Sequence, residues 1–346
     1  MLNTRSQGGM RSVEEGYERD RVFAPWPLVH LHTHDDSGAA VRLGLFAQAL
    51  ARLLGMLLTG KVRVVHCHVS YGGSFWRKAV FASIARLFGA ATVLHLHGSN
   101  TKTFFAAQPG WRMALIRHQL RSADAVIVLS ESWRTYIYDI EPRAKLHVVP
   151  NGVALAPLRE RAAQPDGRVT MLFLGEIGNR KGVYDLLEAL AKARAQVPGL
   201  RLIAGGGGEV DKARARAEEL GLGDAVEFPG WVAGAAKEQL LQQADLYVLP
   251  SHFEGLPVSI LEAMSHGLPV VSTRVGGIPE QVREEREGLL IDAGDVDALA
   301  AALVRLAGDP ALRRAMGQRG RARIEAIYAI DRIAAQLRAL YRGWMS

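Results

Sequence analysis

Two hydrophobic periods alternate along the first 150 residues. Short apolar runs, typical of buried parallel strands, are separated by longer segments with helical periodicity. Strands are predicted at 28–32, 62–68, 91–97, 125–129 and 146–149, and helices at 41–58, 76–88 and 111–121. This order predicts a parallel, doubly wound sheet with helices on both faces.

The same alternation returns after a segment that contains prolines and glycine. Strands are predicted at 169–175, 200–204, 225–229, 246–250, 269–272 and 288–291, and helices at 183–196, 237–243, 296–307 and 311–328. Residues 153–167 lack periodicity, which is typical of a linker. We therefore expect a domain at 1–152, a linker at 153–167, a second domain at 168–328 and an amphipathic terminal segment at 329–346.

Candidate chemistry is concentrated between Ser251 and Val271. The strand at 246–250 ends there, and Pro257 suits the first turn of the next helix, where its missing N–H costs nothing. Free N–H groups at a helix N-terminus after a parallel strand bind phosphate. Glu254 and Glu262 are carboxylates that suit hydroxyl groups instead. The sequence therefore predicts a ligand with both a phosphate group and sugar hydroxyl groups.

This stretch resembles the glutamate–seven residues–glutamate signature of the retaining glycosyltransferases of family 4, which have the GT-B fold. The resemblance continues through the motifs 253–257, 262–264, 267–271 and 276–280. It implies an α/β fold of two Rossmann-like, doubly wound parallel-sheet domains that face a cleft. The first domain would lie on the acceptor side, the second would bind the nucleotide sugar, and the C-terminal helix would cross back onto the first domain.

The resemblance also implies roles for individual residues. Glu254 and His97 would position sugar hydroxyls at the reacting centre, and Glu262 would bind the ribose. The donor would also contact the residues that follow Glu254, namely Gly255, Leu256, Pro257 and Val258. Gly230 and Trp231 would lie where relatives receive the nucleobase, and Trp231 would either stack on the base or pack against the protein.

A basic pair at the start of the helix at 183–196 resembles the family's grip on the diphosphate. Lys181 matches the family lysine, but Glu176 stands where many members have arginine. Because a carboxylate would repel a diphosphate, we expect Glu176 to turn away and Arg180 to supply the second cation. Both ammonium and guanidinium groups suit phosphate oxygens.

The N-terminus departs from the family pattern. Gln7, Gly8, Gly9 and Met10 resemble the glycine-rich loop on the acceptor or phosphate side of the first domain, but only six mostly polar residues precede them. We therefore predict that the first strand is missing, through a truncated gene or a misassigned start. A central position of the first sheet would then be unpaired.

Histidines alternate in three of the first domain's strand regions, at 30, 32 and 34, at 66 and 68, and at 95 and 97. A period of two places each set on one face of its strand. This pattern allows a zinc site, but the polar lining of a cleft is favoured because the sets lie where the strands end. The resemblance implies no protein-bound metal and no cofactor, since the nucleotide sugar is a substrate.

Composition narrows the class of protein. The chain has 346 residues, 49% of them hydrophobic and 22% charged, which suits two ordinary cores. Its single cysteine, Cys67, fits a reducing compartment. The N-terminus lacks the layout of a signal peptide, and no uninterrupted apolar run of about 20 residues predicts a membrane span. We expect a cytoplasmic protein.

The basic charge lies in the first half of the chain. Residues 1–150 hold 18 Lys and Arg against 10 Asp and Glu, whereas the remainder holds 24 against 25. The sequence shows no basic stripe interleaved with aromatic residues, so nucleic acid is not an expected partner. Two interpretations stay open: a first domain that binds the anionic inner face of the plasma membrane, or one that is merely basic. The nearly uncharged helix at 41–58 would be buried or would press on lipid.

The resemblance implies a hexosyltransferase-type enzyme of class EC 2.4. It would move a sugar from a UDP- or GDP-sugar to an acceptor hydroxyl with retention of the anomeric configuration. The expected acceptor is a polyprenyl-linked or other lipid-linked glycan in exopolysaccharide or cell-surface polysaccharide synthesis. The alternatives are a sugar-nucleotide 2-epimerase or phosphorylase of the same fold, and a catalytically impaired protein that binds nucleotide sugars.

Overall fold

The structure is a computed structural model that describes residues 1–3, 9–35, 38–98, 100–158 and 167–345. It divides into two compact units, which we call the first unit (Met1–Gly152 with Ile330–Ser346) and the second unit (Val153–Ala329). Each unit is built on a six-stranded parallel sheet. The predicted pair of parallel, doubly wound α/β sheets is therefore confirmed.

Among its described residues, the first unit has six strands and six helices before the chain enters the second unit. The strands are β1 (Leu2–Asn3), β2 (Leu31–His32), β3 (Val64–Val69), β4 (Ala91–Leu96), β5 (Ala125–Val128) and β6 (Leu146–Val148). The helices are α1 (Gly9–Arg19), α2 (Ala39–Leu58), α3 (Gly73–Leu87), α4 (Thr101–Ala106), α5 (Gly110–Ser122) and α6 (Glu131–Ile140). The strand order is β2-β1-β3-β4-β5-β6.

The second unit repeats this plan, with a short 3₁₀ turn (Asn179–Lys181) before its first helix. Its strands are β7 (Val169–Leu174), β8 (Leu200–Gly205), β9 (Val226–Gly230), β10 (Leu246–Leu249), β11 (Val270–Thr273) and β12 (Gly288–Ile291). Its helices are α7 (Val183–Arg194), α8 (Val210–Glu219), α9 (Gly234–Gln243), α10 (Val258–Ser265), α11 (Ile278–Gln281), α12 (Val296–Gly308) and α13 (Pro310–Arg323). The strand order is β12-β11-β10-β7-β8-β9.

The last helix, α14 (Ile330–Met345), belongs to the first unit. Its buried stripe includes Ile333, Leu337 and Tyr341. Arg338 fixes the helix further, because its guanidinium donates to the backbone carbonyls of Arg21 and Val22. The amphipathic pattern at the end of the sequence thus corresponds to a helix docked on the first sheet's unit.

The prediction that the first strand is missing was wrong. Strand β1 lies between β2 and β3, second from the edge of the sheet, with Leu2 opposite both Leu31 and Cys67. The side chain of Leu2 is buried, and the terminal amine donates to the carbonyl of Val29 at 2.6 Å. Two residues are too few to show a strand period, which is why the pattern was missed.

Helix α2 has an unusual distribution of apolar side chains. Only Ala49, Leu53 and Leu57 are buried, on one stripe with a spacing of four residues. Other apolar residues of this helix are exposed to solvent, including Leu43, with 69% of its surface accessible, and Leu58, with 72%. Among the described residues, α2 is the one helix long and apolar enough to cross a membrane by length and composition.

Shortening a side chain on the buried side of α2 should destabilise the protein more than shortening one on the exposed side. We expect Leu53→Ala to lower the free energy of unfolding by about 2–5 kcal/mol, because it removes a buried side chain and leaves a cavity. The control Leu43→Ala should change it by less than about 0.5 kcal/mol, because that side chain is mostly exposed. Urea unfolding of the two variants would measure this. Equal losses would show that the buried stripe is assigned wrongly.

Candidate functional site

The candidate donor site lies at the carboxyl edge of the second sheet, where β10 ends and α10 begins. Pro257 occupies the position just before α10, and Glu262 is the fifth residue of that helix. The first N–H groups of a helix have no partner within it, and they carry the positive end of its dipole. The N–H groups at this end of α10 can therefore donate hydrogen bonds to the oxygens of a phosphate group.

Glu254 is held in the loop before α10 by two side chains. Lys181 forms an ion pair with its carboxylate, and Ser251 donates to the same oxygen at 2.8 Å. The Glu254 side chain is 6% exposed and that of Lys181 14% exposed, so the pair is largely shielded from water. The structure thus brings together two of the three predicted catalytic residues.

The loop that carries Glu254 is fixed by close backbone packing. Gly276 has φ +56°, and a Cβ there would lie 2.0 Å from the carbonyl oxygen of Glu254. The N–H of Gly277 donates a hydrogen bond to the carbonyl of Gly255 at 2.7 Å. The side-chain amide of Gln281 donates to the backbone carbonyl of Pro257 at 3.0 Å. The glycine pair in the sequence motif therefore has a structural reason: only glycine permits this approach.

Glu262 has a basic partner that the sequence did not reveal. Lys237, on α9, lies 2.6 Å from its carboxylate, and both side chains are partly exposed. The two residues are 25 positions apart, so no local pattern connects them. Lys237 and Ser251 are the two neighbours of the predicted carboxylates that sequence reasoning missed.

Arg180 and Glu176 do not separate as expected. The Arg180 guanidinium forms an ion pair with Glu176 at 2.8 Å, on a surface where both side chains are more than one third exposed. Glu176 therefore stays beside the basic pair and neutralises Arg180. The role of Arg180 as a second phosphate cation stays a prediction, and a donor would have to compete with Glu176 for it.

The other residues predicted to contact the donor lie around the same edge of the second sheet. Gly255, Leu256 and Pro257 are buried, and Val258 is half-buried at the start of α10. Gly230 ends β9 and accepts a hydrogen bond from the N–H of Gly206. Trp231 follows it with 51% of its surface exposed, which favours the stacking alternative over packing.

In the first unit, His97 follows β4 and is half-buried. A nitrogen of His68 lies 2.8 Å from its Nε2. Desolvation lowers the pKa of His97 to about 3, so the imidazole is neutral at physiological pH and can donate and accept one hydrogen bond each. Gly9 begins α1, whereas Gly8 lies outside the described residues.

Comparison with known proteins identifies the family of the chain. The family described as glycosyl transferases group 1 matches residues 156–323, and a glycosyl transferase 4-like domain matches residues 6–152. A GDP-mannose-dependent alpha-(1-6)-phosphatidylinositol monomannoside mannosyltransferase of Mycobacterium tuberculosis is 32% identical over 290 residues, which is 77% of this chain and 73% of the relative. The chain belongs to the group 1 glycosyltransferases.

Solved structures of low sequence identity share the fold. Sucrose-phosphate synthase from Thermosynechococcus elongatus superposes with a TM-score of 0.77 at 23% identity, covering 99% of this chain and 98% of that one. The Anabaena protein HepE in complex with UDP gives a TM-score of 0.76 at 18% identity, with the same coverage of both chains. The GT-B fold is thereby confirmed, and the protein is a glycosyltransferase of class EC 2.4 that uses a nucleotide sugar.

The turn before α7 offers a test of the site's geometry. Gly182 has φ +71°, and a Cβ there would lie 1.9 Å from the carbonyl oxygen of Pro250. We expect Gly182→Ala to cost at least about 2 kcal/mol of stability, because a left-handed alanine is strained and the neighbouring backbone must move. The shift would displace Lys181 and weaken donor binding about tenfold or more.

Thermal unfolding and nucleotide titration of Gly182→Ala would check this. The control is Gly223→Ala, because Gly223 has open space around its Cα. If Gly182→Ala bound and melted like the control, the tight contact with Pro250 would be disproved.

Proposed function

We propose that this glycosyltransferase moves a sugar from a UDP- or GDP-sugar to a hydroxyl of a lipid-linked glycan, with retention of the anomeric configuration. The observation that carries the proposal is the shielded contact of Lys181, Glu254 and Ser251 beside the N-terminus of α10. A cation and a helix N-terminus suit a leaving diphosphate, and a carboxylate suits sugar hydroxyls.

The leaving group gains negative charge as its bond to the sugar breaks. Lys181 and the N–H groups at the start of α10 stabilise that charge, so the donor site works through the protein's own cations rather than through a bound metal. Before the donor binds, Lys181 is neutralised by Glu254. A diphosphate takes over the ammonium group and leaves the Glu254 carboxylate to accept hydrogen bonds from the sugar.

The cationic, oxocarbenium-like sugar needs positioning while the bond breaks. Glu254 holds its hydroxyl groups and Glu262 holds the ribose, and the family resemblance assigns hydroxyl positioning to the neutral imidazole of His97 in the first unit as well. The acceptor attacks from the face that the diphosphate leaves, and the leaving phosphate takes the acceptor's proton. This front-face route requires no second carboxylate as nucleophile, unlike the scheme of retaining hydrolases.

The acceptor proposal rests on the surface of the first unit. Its helix α2 exposes Leu43 and Leu58 together with Arg42 and Arg52, and the first 150 residues carry an excess of basic charge. An apolar surface with basic residues suits an anionic bilayer, where lipid-linked glycans reside. We therefore propose a cytoplasmic protein that binds peripherally to the inner face of the plasma membrane during exopolysaccharide or cell-surface polysaccharide synthesis.

A second candidate function is a protein that binds nucleotide sugars but turns them over poorly. The observation that favours it is the Glu176–Arg180 ion pair, which removes one positive charge from the region of the leaving group. Donor binding without nucleotide release would identify this function.

The donor site should depend strongly on its ion pair. We expect Lys181→Ala to reduce the rate of nucleotide release from the preferred donor by about 10²–10³-fold, because it removes charge stabilisation in the transition state. Glu254→Gln should lower the rate while keeping donor binding. The control Lys192→Ala, at the far end of α7, should behave like the wild type.

A panel of UDP- and GDP-sugars, read by nucleotide release and thermal shift, makes this measurement. Added Mg²⁺ should leave the rate unchanged. Full activity of Lys181→Ala would sink the proposed mechanism, and proton NMR of the product's anomeric centre would show inversion if the stereochemical proposal were wrong.

Membrane binding gives an independent test. We expect the wild type to sediment with vesicles that contain anionic lipid, less so at high salt, because screening weakens attraction to the headgroups. Leu43→Asp with Leu58→Asp should reduce binding at least about tenfold, whereas the control Leu158→Asp in the second unit should not. Wild-type protein that stays in the supernatant would refute the membrane proposal and leave the donor chemistry untouched.

A further inference from the structure

Four buried or half-buried imidazoles lie side by side on one face of the first sheet. His66 and His68 belong to β3, His95 belongs to β4, and His97 follows it. His68 and His95 are partners in the register of the two strands, which places the alternating residues on a common face. We call His66, His68 and His95 the histidine cluster.

The ring nitrogens of the histidine cluster converge. One nitrogen from each ring lies within 4.8 Å of the corresponding nitrogens of the other two. His66 Nε2 and His95 Nδ1 are 3.2 Å apart. Nitrogens around a tetrahedral zinc ion lie roughly 3.4 Å apart, as follows from Zn–N bonds of about 2.05 Å. The nitrogens of His66 and His95 are therefore already at the spacing that a shared ion requires.

Two ring nitrogens of the histidine cluster are buried without a hydrogen-bond partner. His68 Nε2 and His95 Nε2 have none within the described part of the chain, although both residues are fully buried. A buried polar atom left unpaired costs about 1–3 kcal/mol, so such atoms require an explanation. Burial also lowers the pKa of all three imidazoles, which keeps them in the neutral form that binds metals.

The Nδ1 atoms of His66 and His68 already have hydrogen-bond partners. His66 Nδ1 contacts the hydroxyl of Tyr341, which α14 supplies, and His68 Nδ1 lies 2.8 Å from His97 Nε2. Metal-binding histidines usually have their second nitrogen fixed in this way, because the outer hydrogen bond sets the tautomer and the ring orientation. Of the remaining nitrogens, His68 Nε2 has no partner among the described residues, whereas His66 Nε2 contacts His95 Nδ1 and would exchange that contact for the metal.

We propose that the histidine cluster binds one transition-metal dication of the zinc type. Three neutral imidazoles suit Zn²⁺ and its neighbours in the first transition series, and they do not suit Mg²⁺, which prefers oxygen ligands. The histidine cluster belongs to the first unit, whereas the residues proposed to bind the donor phosphates belong to the second. Its ion would tie β3, β4 and, through Tyr341, α14 together.

Metal binding would also set the protonation of the neighbouring imidazole. An ion on His68 Nε2 leaves the ring proton on Nδ1, which then donates to His97 Nε2. His97 would in turn carry its own proton on Nδ1. The metal would thus act as a positioning device for His97 and would take no part in the transfer step.

The test uses full-length protein without a histidine tag, stripped of metal and titrated with ZnCl₂, CoCl₂ or MgCl₂. We expect one Zn²⁺ per chain, a rise in melting temperature on Zn²⁺ binding, a visible ligand-field absorption with Co²⁺, and no response to Mg²⁺. His68→Gln and His95→Gln should each weaken Zn²⁺ binding at least about 100-fold. The matched control His118→Gln, on the exposed face of α5, should bind like the wild type.

Wild-type protein that binds no Zn²⁺, or glutamine variants that bind as tightly as the wild type, would overturn the proposal. If a glutamine variant does not fold, NMR of ¹⁵N-histidine-labelled wild type decides the question. Zn²⁺ should then shift the ring nitrogens of His66, His68 and His95 but not those of His118. Each of these readouts is independent of transferase activity, so failure of the donor assay leaves the metal test intact.

Discussion

The candidate donor site depends on one ion pair, between a lysine and a glutamate that are largely shielded from water. Lys181 comes from the turn after β7 and Glu254 from the loop after β10, two strands that lie side by side in the second sheet. A largely shielded charge is tolerated only with a partner, because desolvation is costly. The pair therefore fixes both loops, and the proposed chemistry depends on a contact that also stabilises the structure.

The remaining features of that edge support the same contact. Ser251 adds a hydrogen bond to Glu254, and the glycines at 276 and 277 let the neighbouring loop approach its backbone. Gly182 permits the sharp turn that delivers Lys181. Each of these residues acts by geometry, so the carboxylate and ammonium groups are placed before a donor arrives. Such preorganisation is what a site needs to stabilise charge without rearranging during the reaction.

Much of this could be predicted from the sequence, because the information is local. Buried parallel strands appear as apolar runs, and the strand–loop–helix around Glu254 follows from Pro257 and the residues on either side. The short β1 was missed because two residues show no period. The pairing of Lys237 with Glu262, and of Glu176 with Arg180, was missed because ion pairs depend on side-chain positions in space. The apolar residues that α2 exposes could be identified only from the packing of that helix.

The ion pairs around the donor site have a consequence for how the nucleotide sugar arrives. Lys181 with Glu254, Arg180 with Glu176, and Lys237 with Glu262 sum to no net charge. Ion pairs without net charge exert little long-range attraction on an anion. They attract the donor only on contact, when its phosphate groups replace the carboxylates as partners of the basic side chains. The three pairs should therefore contribute little to the dependence of the encounter rate on ionic strength, and any long-range attraction of the donor comes from the basic first unit.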